Sequence, residues 1–370
     1  MRQTKVLFIG PLPPPVDGQS KATAQALIAL KNAGLDVSVV NTNRDGLARG
    51  FFSQFKRIIQ VLGLYIEISK LIRHSEIVYI SIAESILGNI KDLIIYLMLY
   101  WRIDKVTIHM LGGSGMDKIL NETAYLSRVN GWFMSKMAGV IVEGRRGYKV
   151  FGRYVDSSKI HVVANFADDY LTVEPSQIIK KFECQDRIQV LYLSNLIKEK
   201  GCWDLLEAFL SLPHSVRERY SLKFVGGFPT EEERLLFLKK ISTEKDIEYV
   251  GTFIDGNDKL RLYLNSHIFC LPTYYPYEGQ PISILEAYST GCAVITTSHG
   301  GIPDIFTEGI NGFLVEKNNP ESISRALTSM IDEFDIVRQM ALNNAEESHR
   351  KYSTNIYRSK ISQVFKSKFC

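Results

Sequence analysis

Two glutamates with seven residues between them, Glu278 and Glu286, are the residues of this sequence best suited to carry chemistry. The run before them, IFCLPTYYP, is typical of a strand that ends in a loop. The run ISILEAY has helix-forming residues, with Pro281 suited to the first helical position and Gly291 suited to the stop. We therefore expect Glu278 in a loop and Glu286 on a helix.

The start of this predicted helix is a candidate phosphate site. The backbone N–H groups of Gln280, Ile282 and Ser283 should lie near it, where unpaired donors and the positive end of the helix dipole favour a diphosphate. A carboxylate in the loop suits sugar hydroxyls, and a carboxylate on the helix suits a ribose diol. Together these groups predict a site for a nucleotide sugar.

The segments around the two glutamates carry a family resemblance. LYLSNLIKEKG begins at Leu191, FVGG follows, and YEGQPISILEAYSTGCAVITTSHGGIPDIFTEGINGFLVEKNNPESISRAL ends at Leu327. These motifs, in this order, resemble retaining glycosyltransferases of family four, marked by the E-x7-E motif. The resemblance implies the GT-B fold, an α/β architecture in which two Rossmann-like domains face each other across a cleft.

The resemblance also implies roles for single residues. Glu278 corresponds to the residue that meets the donor sugar near the reacting centre, Glu286 to the one that holds the ribose hydroxyls, and Lys200 to the lysine that neutralises the donor diphosphate. The family usually has an Arg five residues before that lysine, where this sequence has Asn195. An Asn donates a hydrogen bond but supplies neither the charge nor the bidentate fork of a guanidinium. With Asn195 in place of the usual Arg, less positive charge is available to neutralise the diphosphate.

Glycines at three positions add to the implied donor site. Gly226 and Gly227 follow an apolar run and Gly279 follows Glu278, and in the family such turns border the donor. The alternative is that they serve only turn geometry. Plainer interpretations exist for the charged residues as well. A Lys-Gly pair after a strand is common at turns, and a helical Glu is usually solvated, although the apolar neighbours of Glu286 favour burial.

Three residues near the N-terminus are further candidates. Gly18 and Gln19 lie in the loop PLPPPVDGQSKAT, between the first predicted strand and helix, where ligands of open α/β sheets gather. The family usually has a glycine-rich turn there that faces the donor diphosphate. His109, at the end of the predicted strand VTIHML, resembles a family histidine close to the reacting sugar. The alternative for His109 is a packed, hydrogen-bonded side chain.

The alternation of strand and helix patterns predicts two α/β domains in the 370 residues. We expect a Rossmann-like acceptor domain over 1–170 and a nucleotide-sugar donor domain over 186–350, with the linker at about 168–187. The resemblance implies that a final helix, at about 353–370, joins the first domain. Hydrophobic residues at 45% and charged residues at 23% are ordinary globular values, which excludes disordered and fibrous classes.

Cysteines and charge indicate the compartment and the partners. The five cysteines are widely spaced and form no CxxC, which argues against a disulfide framework or zinc site and favours a reducing cytosol. The N-terminal apolar run is too short for a signal peptide. Residues 1–175 contain 21 Lys or Arg and 15 Asp or Glu, a balance of +6. No recognised nucleic-acid motif accompanies this charge, so we expect no nucleic-acid partner.

Two stretches of the first domain, 49–74 and 91–105, combine basic with apolar residues, including Arg49, Lys56, Arg57 and Lys70. Neither has the ~20 consecutive apolar residues needed to span a bilayer. They suit either an anionic membrane surface, which attracts basic amphipathic segments, or core helices with solvated charges. The first alternative places the protein at the inner face of the cell membrane, as a peripheral protein.

These observations lead to one expected activity. A sugar would pass from a nucleoside diphosphate sugar of the UDP or GDP type to a glycan or lipid-linked glycan, with retained configuration, in bacterial surface polysaccharide (O-antigen or capsule) biosynthesis. The resemblance implies that neither a metal nor another cofactor takes part. Two alternatives remain: a sugar-nucleotide 2-epimerase of the same fold, and a catalytically silent nucleotide-sugar-binding subunit.

Overall fold

The computed structural model describes residues 3–43, 51–183, 187–252 and 255–369. The chain divides into two compact units, which are unit 1, comprising Met1–Asn165 and Asn355–Cys370, and unit 2, comprising Phe166–Thr354. Arg49, Cys184 and Cys370, and the side chains of Lys56 and Arg57, lie outside the described residues.

Unit 1 is built on a six-stranded parallel sheet with the order β2-β1-β3-β4-β5-β6. Its four inner strands are almost wholly buried, as expected for a sheet covered on both faces. In chain order they are β1 (Lys5–Gly10), β2 (Asp36–Asn41), β3 (Ile77–Ser81), β4 (Val106–Met110), β5 (Gly139–Val142) and β6 (Ile160–Val162).

Helices cover both faces of this sheet. They are α1 (Gly18–Asn32), α2 (Phe51–Leu71), α3 (Ile86–Met98), α4 (Ser114–Glu122), α5 (Ala124–Met134), α6 (Arg145–Phe151) and, from the C-terminus, α15 (Thr354–Phe369). A 3₁₀ segment, Tyr100–Lys105, follows α3.

The two faces of the sheet have different partners. On one face, Leu64 and Ile68 of α2 and Ile95 of α3 join a single core with strand residues such as Ile80 and Ile108. On the other face, Tyr79 stacks on Phe8 and its ring lies 6.2 Å from that of Phe365 in α15. Tyr357 of the same helix donates to the carbonyl of Ala22 in α1. The final helix is therefore part of unit 1.

Unit 2 contains a second six-stranded parallel sheet, with the order β12-β11-β10-β7-β8-β9. The strands are β7 (Ile188–Leu193), β8 (Tyr220–Val225), β9 (Ile247–Gly251), β10 (Ile268–Leu271), β11 (Ala293–Thr297) and β12 (Gly312–Val315). Its helices are α7 (Pro175–Glu183), α8 (Cys202–Leu210), α9 (His214–Arg217), α10 (Glu231–Ile241), α11 (Gly256–Leu264), α12 (Ile282–Ser289), α13 (Pro320–Asp332) and α14 (Phe334–Lys351).

The segment expected to link the domains, 168–187, is largely ordered secondary structure of unit 2. It contains α7, whose Ile178 and Phe182 are buried. Gly291, just beyond α12, lies so close to Ile178 that an added Cβ would be 2.6 Å from it. The loss of regular strand pattern suggested a linker, but two apolar residues four apart on α7 attach the segment to unit 2: Ile178 packs at Gly291, and Phe182 packs against His267 and Phe334 of α14.

Parallel strands end at the same edge of a sheet, which brings the loops of unit 2 together. The loops after β7, β8, β10 and β11 contain most of the predicted donor residues. Ligands of open α/β sheets bind at this edge. Within the described ranges, the chain has no helix with the length and apolar character that crossing a membrane requires.

Candidate active site

Lys200 and Glu278 form a bidentate ion pair at the carboxyl edge of the second sheet. The Lys200 Nζ lies 2.7 Å from each carboxylate oxygen of Glu278. The side chains are 15% and 6% exposed, so the pair is largely shielded from water. Both residues were predicted from the sequence, and the structure joins them although 78 positions separate them.

Neighbouring side chains hold this pair in place. Thr273 donates its hydroxyl to Glu278 Oε2 at 2.6 Å, and the Lys200 Nζ lies 5.0 Å from the centre of the Tyr275 ring. The backbone N–H of Tyr274 donates to the carbonyl of Glu199 at 2.7 Å. The loop after β10 is thus attached to the 3₁₀ turn that presents Lys200, which fixes the distance between the two charged groups.

Glycines allow the loops around the Lys200–Glu278 pair to approach one another closely. Gly226 has φ +143°, and a Cβ there would lie 1.8 Å from the carbonyl oxygen of Ser194. Gly300, with φ +58°, approaches the carbonyl of Glu278 in the same way. The N–H of Gly301 donates to the carbonyl of Gly279 at 3.1 Å. Any larger side chain at Gly226 would push the β7 and β8 loops apart.

Helix α12 begins at Ile282, with Pro281 as its N-cap. Pro281, predicted as the first helical residue, therefore lies one position before the helix, while Glu278 in the loop and Glu286 on the helix are as predicted. No side chain caps this helix start within the described residues. Gln280 is buried and Ser283 is partly exposed. An uncapped helix start suits an anion. The binding of phosphate at this helix start stays a prediction.

Glu286 is buried on α12 and paired with α11. Its Oε1 accepts from the Lys259 Nζ at 2.6 Å, and its Oε2 accepts from the Tyr263 hydroxyl at 3.2 Å. The pKa of Tyr263 is raised well above its ordinary value, mainly because the side chain is buried and to a smaller extent because of the negative charge of Glu286. The sequence analysis missed Lys259 and Tyr263. The only local signal was their spacing of four residues, which places both on one helix face.

Asn195 and Gly227 lie in the adjoining loops. The side chain of Asn195 is exposed at the exit of β7, and its carbonyl accepts from the Tyr192 hydroxyl at 3.0 Å. The carbonyl of Gly227 accepts from the N–H of Leu196 at 2.8 Å. These bonds join the β7 and β8 loops and leave the Asn195 amide on the solvent side.

Gly18 and Gln19, the predicted phosphate-facing residues of unit 1, begin α1. The carboxylate of Asp17 caps this helix by accepting from the N–H of Ser20 at 2.7 Å. Gln19 donates its amide to the Ser81 hydroxyl and to the Ile82 carbonyl, both at 3.3 Å. The Asp17 carboxylate therefore already caps this helix start, and the amide of Gln19 is bonded to β3 and to the residue after it. Phosphate binding at Gly18 and Gln19 stays a prediction.

His109 is buried inside unit 1. Its Nδ1 lies 2.7 Å from the Tyr79 hydroxyl, and its Nε2 has no hydrogen-bond partner in the part of the chain that the structure describes. Burial lowers the pKa of His109 to about 3. Strand alternation turns the ring toward the face that carries Tyr79. This geometry fits the alternative of a packed, neutral histidine, and the role of His109 near a reacting sugar stays a prediction.

Glu84, which the sequence analysis did not single out, lies at the carboxyl edge of the first sheet. Its two oxygens accept from the N–H groups of Gly113 and Gly115, at 2.6 and 3.0 Å. Burial raises the pKa of Glu84 to about 7, although these two bonds and the charge of Arg146 act in the opposite direction. The sequence signal was a Glu after a strand, together with a GGSG run after the next strand.

The described residues include no cluster of side chains suited to bind a metal ion. Among the residues of the described ranges, no group of three His, Cys, Asp or Glu side chains could hold a metal ion. The expectation of a metal-independent reaction stays a prediction.

Residues 175–348, almost all of unit 2, match the model of the family described as glycosyl transferases group 1. The chain is 25% identical over 186 residues to the capsular polysaccharide biosynthesis glycosyltransferase CapM of Staphylococcus aureus, a match that covers 49% of this chain and 46% of that protein. It is 26% identical over 191 residues to the O-antigen chain mannosyltransferase B of Escherichia coli, covering 50% and 49%. The chain thus spans about half the length of these relatives.

Solved structures extend the likeness of the fold over the whole chain. Anabaena Alr3699/HepE, solved in complex with UDP-glucose, has a TM-score of 0.70 at 16% identity and covers 99% of this chain and 100% of that chain. The two parallel sheets with flanking helices, together with this neighbour, show the two-domain α/β GT-B fold. The fold and the family match of residues 175–348 support a glycosyltransferase.

Proposed function

We propose that this protein is a retaining glycosyltransferase of family four, which transfers a sugar from a nucleoside diphosphate sugar to a glycan or lipid-linked glycan. The observation that carries the proposal is the shielded Lys200–Glu278 pair beside the uncapped start of α12. A cation and a helix start together suit a diphosphate. A carboxylate beside them suits the hydroxyls of the attached sugar.

The reaction needs stabilisation of the charge that develops as the diphosphate leaves. In the proposed step the bond between the anomeric carbon and the phosphate oxygen breaks. The acceptor hydroxyl attacks that carbon from the same face, and its proton passes to the leaving phosphate. Lys200 and the N–H groups of Ile282 and Ser283 would stabilise the leaving oxygens, since positioned donors act most strongly where charge grows. No protein nucleophile is required.

The Lys200–Glu278 contact suggests how the site changes on donor binding. Both oxygens of Glu278 lie 2.7 Å from the Lys200 Nζ, so the lysine is fully charge-compensated before a donor arrives. A diphosphate would share the ammonium group and release part of the carboxylate toward the sugar. Asn195 adds a hydrogen-bond donor but no charge, so Lys200 would carry more of the neutralisation than in proteins with an Arg at that position.

The choice of donor and acceptor rests on the comparisons. The structural neighbour from Anabaena was solved with UDP-glucose, which supports a donor of the UDP or GDP type. The relatives named for capsule and O-antigen synthesis support an acceptor in bacterial surface polysaccharide assembly. Such an acceptor would be reached from the cytoplasmic side, by a protein held at an anionic membrane surface.

A panel of UDP-, GDP- and ADP-sugars tests the proposal. We expect one nucleotide class to raise the unfolding temperature of the wild-type protein, and its sugar nucleotide to be hydrolysed slowly without an acceptor. Both effects should persist in EDTA. Lys198→Ala is the matched control for Lys200→Ala, because both lysines lie in the 3₁₀ turn Lys198–Lys200 and Lys198 is exposed. Only Lys200→Ala should weaken the shift.

Other outcomes would identify the alternatives. Interconversion of the sugar at C2 in place of hydrolysis would identify an epimerase. A thermal shift with no turnover, under any acceptor extract, would identify a silent binding subunit. The absence of a shift with every nucleotide would contradict a donor site at Lys200 and Glu278.

A further inference from the structure

Helix α3 of unit 1 exposes large apolar residues although its core-facing side is already filled. Its outward residues are apolar, with Leu87 and Leu97 81% and 67% exposed, whereas its buried residues are the polar Asn89 and Asp92 together with Ile95 and Tyr96. An ordinary surface helix places its apolar stripe toward the core. We define the α3 face as the exposed apolar residues of this helix and the turn after it, namely Ile86, Leu87, Ile90, Ile94, Leu97 and Trp101.

The inward polar residues are held by specific bonds. Asn89 and Asn130 of α5 exchange amide hydrogen bonds, both at 2.9 Å. The Asp92 Oδ2 accepts from the N–H of Ala83 at 2.8 Å. Rotating α3 to bury its apolar side would break these bonds and leave buried polar groups without partners, which is costly. The exposure of the outward apolar residues is therefore a fixed property of the unit.

Neighbouring elements extend the α3 face. On α2, Ile59, Leu62 and Ile66 are exposed, and the Tyr65 hydroxyl of that helix contacts the carbonyl of Lys91 in α3. Trp132 of α5 stacks on Tyr100 at 5.7 Å. Large exposed apolar patches on single chains mark interaction sites.

We propose that the α3 face docks on an anionic lipid bilayer and inserts its apolar side chains at the level of the head groups. Trp101 is 90% exposed, and exposed Trp and Tyr side chains suit a membrane–water interface. Cations border the patch. Lys70 follows Ile66 by one helical turn and is exposed, and Lys136 lies over the Trp132 ring at 4.6 Å.

The alternative occupant is a second copy of this chain. A two-fold interface pairs each patch with itself, which would bring the bordering cations of both copies together. Anionic head groups instead neutralise them. The inference gives the proposed function a docking surface for a lipid-linked acceptor. The docking surface rests on the proposed function only for the identity of the acceptor. Vesicle binding is measured without donor or acceptor, so the docking proposal and the proposed function can fail separately.

The experiment is co-sedimentation with phosphatidylglycerol and phosphatidylcholine vesicles. The wild-type protein should sediment with the first kind, less so as salt rises. The double variant Leu87→Ser/Leu97→Ser should partition at least about tenfold less, because two leucine side chains no longer leave water. The matched control is Leu235→Ser/Leu236→Ser on α10, whose leucines are 55% and 58% exposed. This control should sediment like the wild type.

Tryptophan fluorescence gives a second reading. Binding to phosphatidylglycerol vesicles should shift the emission to the blue, and Trp101→Phe should remove most of the shift while the protein still sediments. Equal sedimentation of the α3 and α10 double variants would overturn the proposal. So would a wild-type dimer in analytical ultracentrifugation that Leu87→Ser/Leu97→Ser converts to a monomer, without vesicle binding, because the patch would then be a contact between copies.

Discussion

Lys259 and Glu286 form a buried ion pair between α11 and α12, with the Lys259 Nζ 2.6 Å from the Glu286 Oε1. The side chains are 11% and 2% exposed. The carboxylate expected to hold a ribose is therefore already oriented and charge-compensated by a lysine 27 positions earlier in the chain. This arrangement separates two roles of Glu286, in stability and in binding, that different variants can test.

Lys259→Met should destabilise unit 2, because it leaves the buried Glu286 carboxylate without its cation. Breaking a buried pair from one side typically costs ~3–5 kcal/mol. Urea denaturation followed by circular dichroism measures the change. The double variant Lys259→Met/Glu286→Gln should recover a large part of the loss, since no unpaired charge remains. Equal losses in the single and double variants would mean that the pair contributes only packing.

Glu286→Gln should weaken binding of the nucleoside diphosphate by roughly tenfold or more, because a charge-assisted hydrogen bond to a hydroxyl contributes ~1.5–3 kcal/mol. Calorimetric titration measures the affinity. Tyr263→Phe is the companion variant, since it removes the other bond to the same carboxylate and should have a smaller effect. Unchanged affinity in Glu286→Gln would remove this residue from the nucleotide site.

Gly226→Ala should destabilise the protein by about 1–3 kcal/mol, because its φ of +143° disfavours any side chain and the new Cβ would meet the Ser194 carbonyl. Gly227→Ala is the matched control, because no described heavy atom lies within 4 Å of a Cβ built there. Gly226→Ala should unfold at a lower temperature than Gly227→Ala. Similar temperatures would show that the β7 and β8 loops can separate at little cost.

Glu84 should make stability depend on pH. Its pKa rises from 4.5 to about 7 on folding, so the folded protein keeps this proton at pH values where the unfolded chain has lost it. The contribution of Glu84 to stability is therefore greatest below about pH 4.5 and declines as pH rises to about 7. The unfolding temperature of the wild type minus that of Glu84→Gln should fall across this window. A flat difference would mean that folding leaves the pKa of Glu84 unchanged.

Local sequence signals were enough for the residues that neighbours in the chain control. Glu278 in a loop and Glu286 on a helix followed from a strand pattern, Pro281 and Gly291, all within a short segment. The two parallel sheets followed from repeated apolar runs alternating with helical patterns. These features depend on backbone preferences and periodicity, which the sequence displays directly.

Features set by packing between distant segments escaped prediction. Lys259 looked like an ordinary charge on a polar helix until α11 packed against α12. The burial of His109 depends on which sheet face the C-terminal helix covers, and strand alternation alone leaves that choice open. In α3 the sequence displayed a hydrophobic run, but which of its residues face outward is fixed by Asn89 and Asp92, whose partners come from α5 and the β3 exit.

The role of Lys200 in turnover is tested most directly by single-turnover kinetics at saturating sugar nucleotide, comparing Lys200→Ala with Lys198→Ala. If Lys200 stabilises the departing diphosphate, its removal should lower the rate of sugar release by about 100-fold or more, with a smaller loss in donor affinity. Lys198→Ala should react at close to the wild-type rate. A Lys200→Ala protein that releases the sugar as fast as Lys198→Ala would contradict this role.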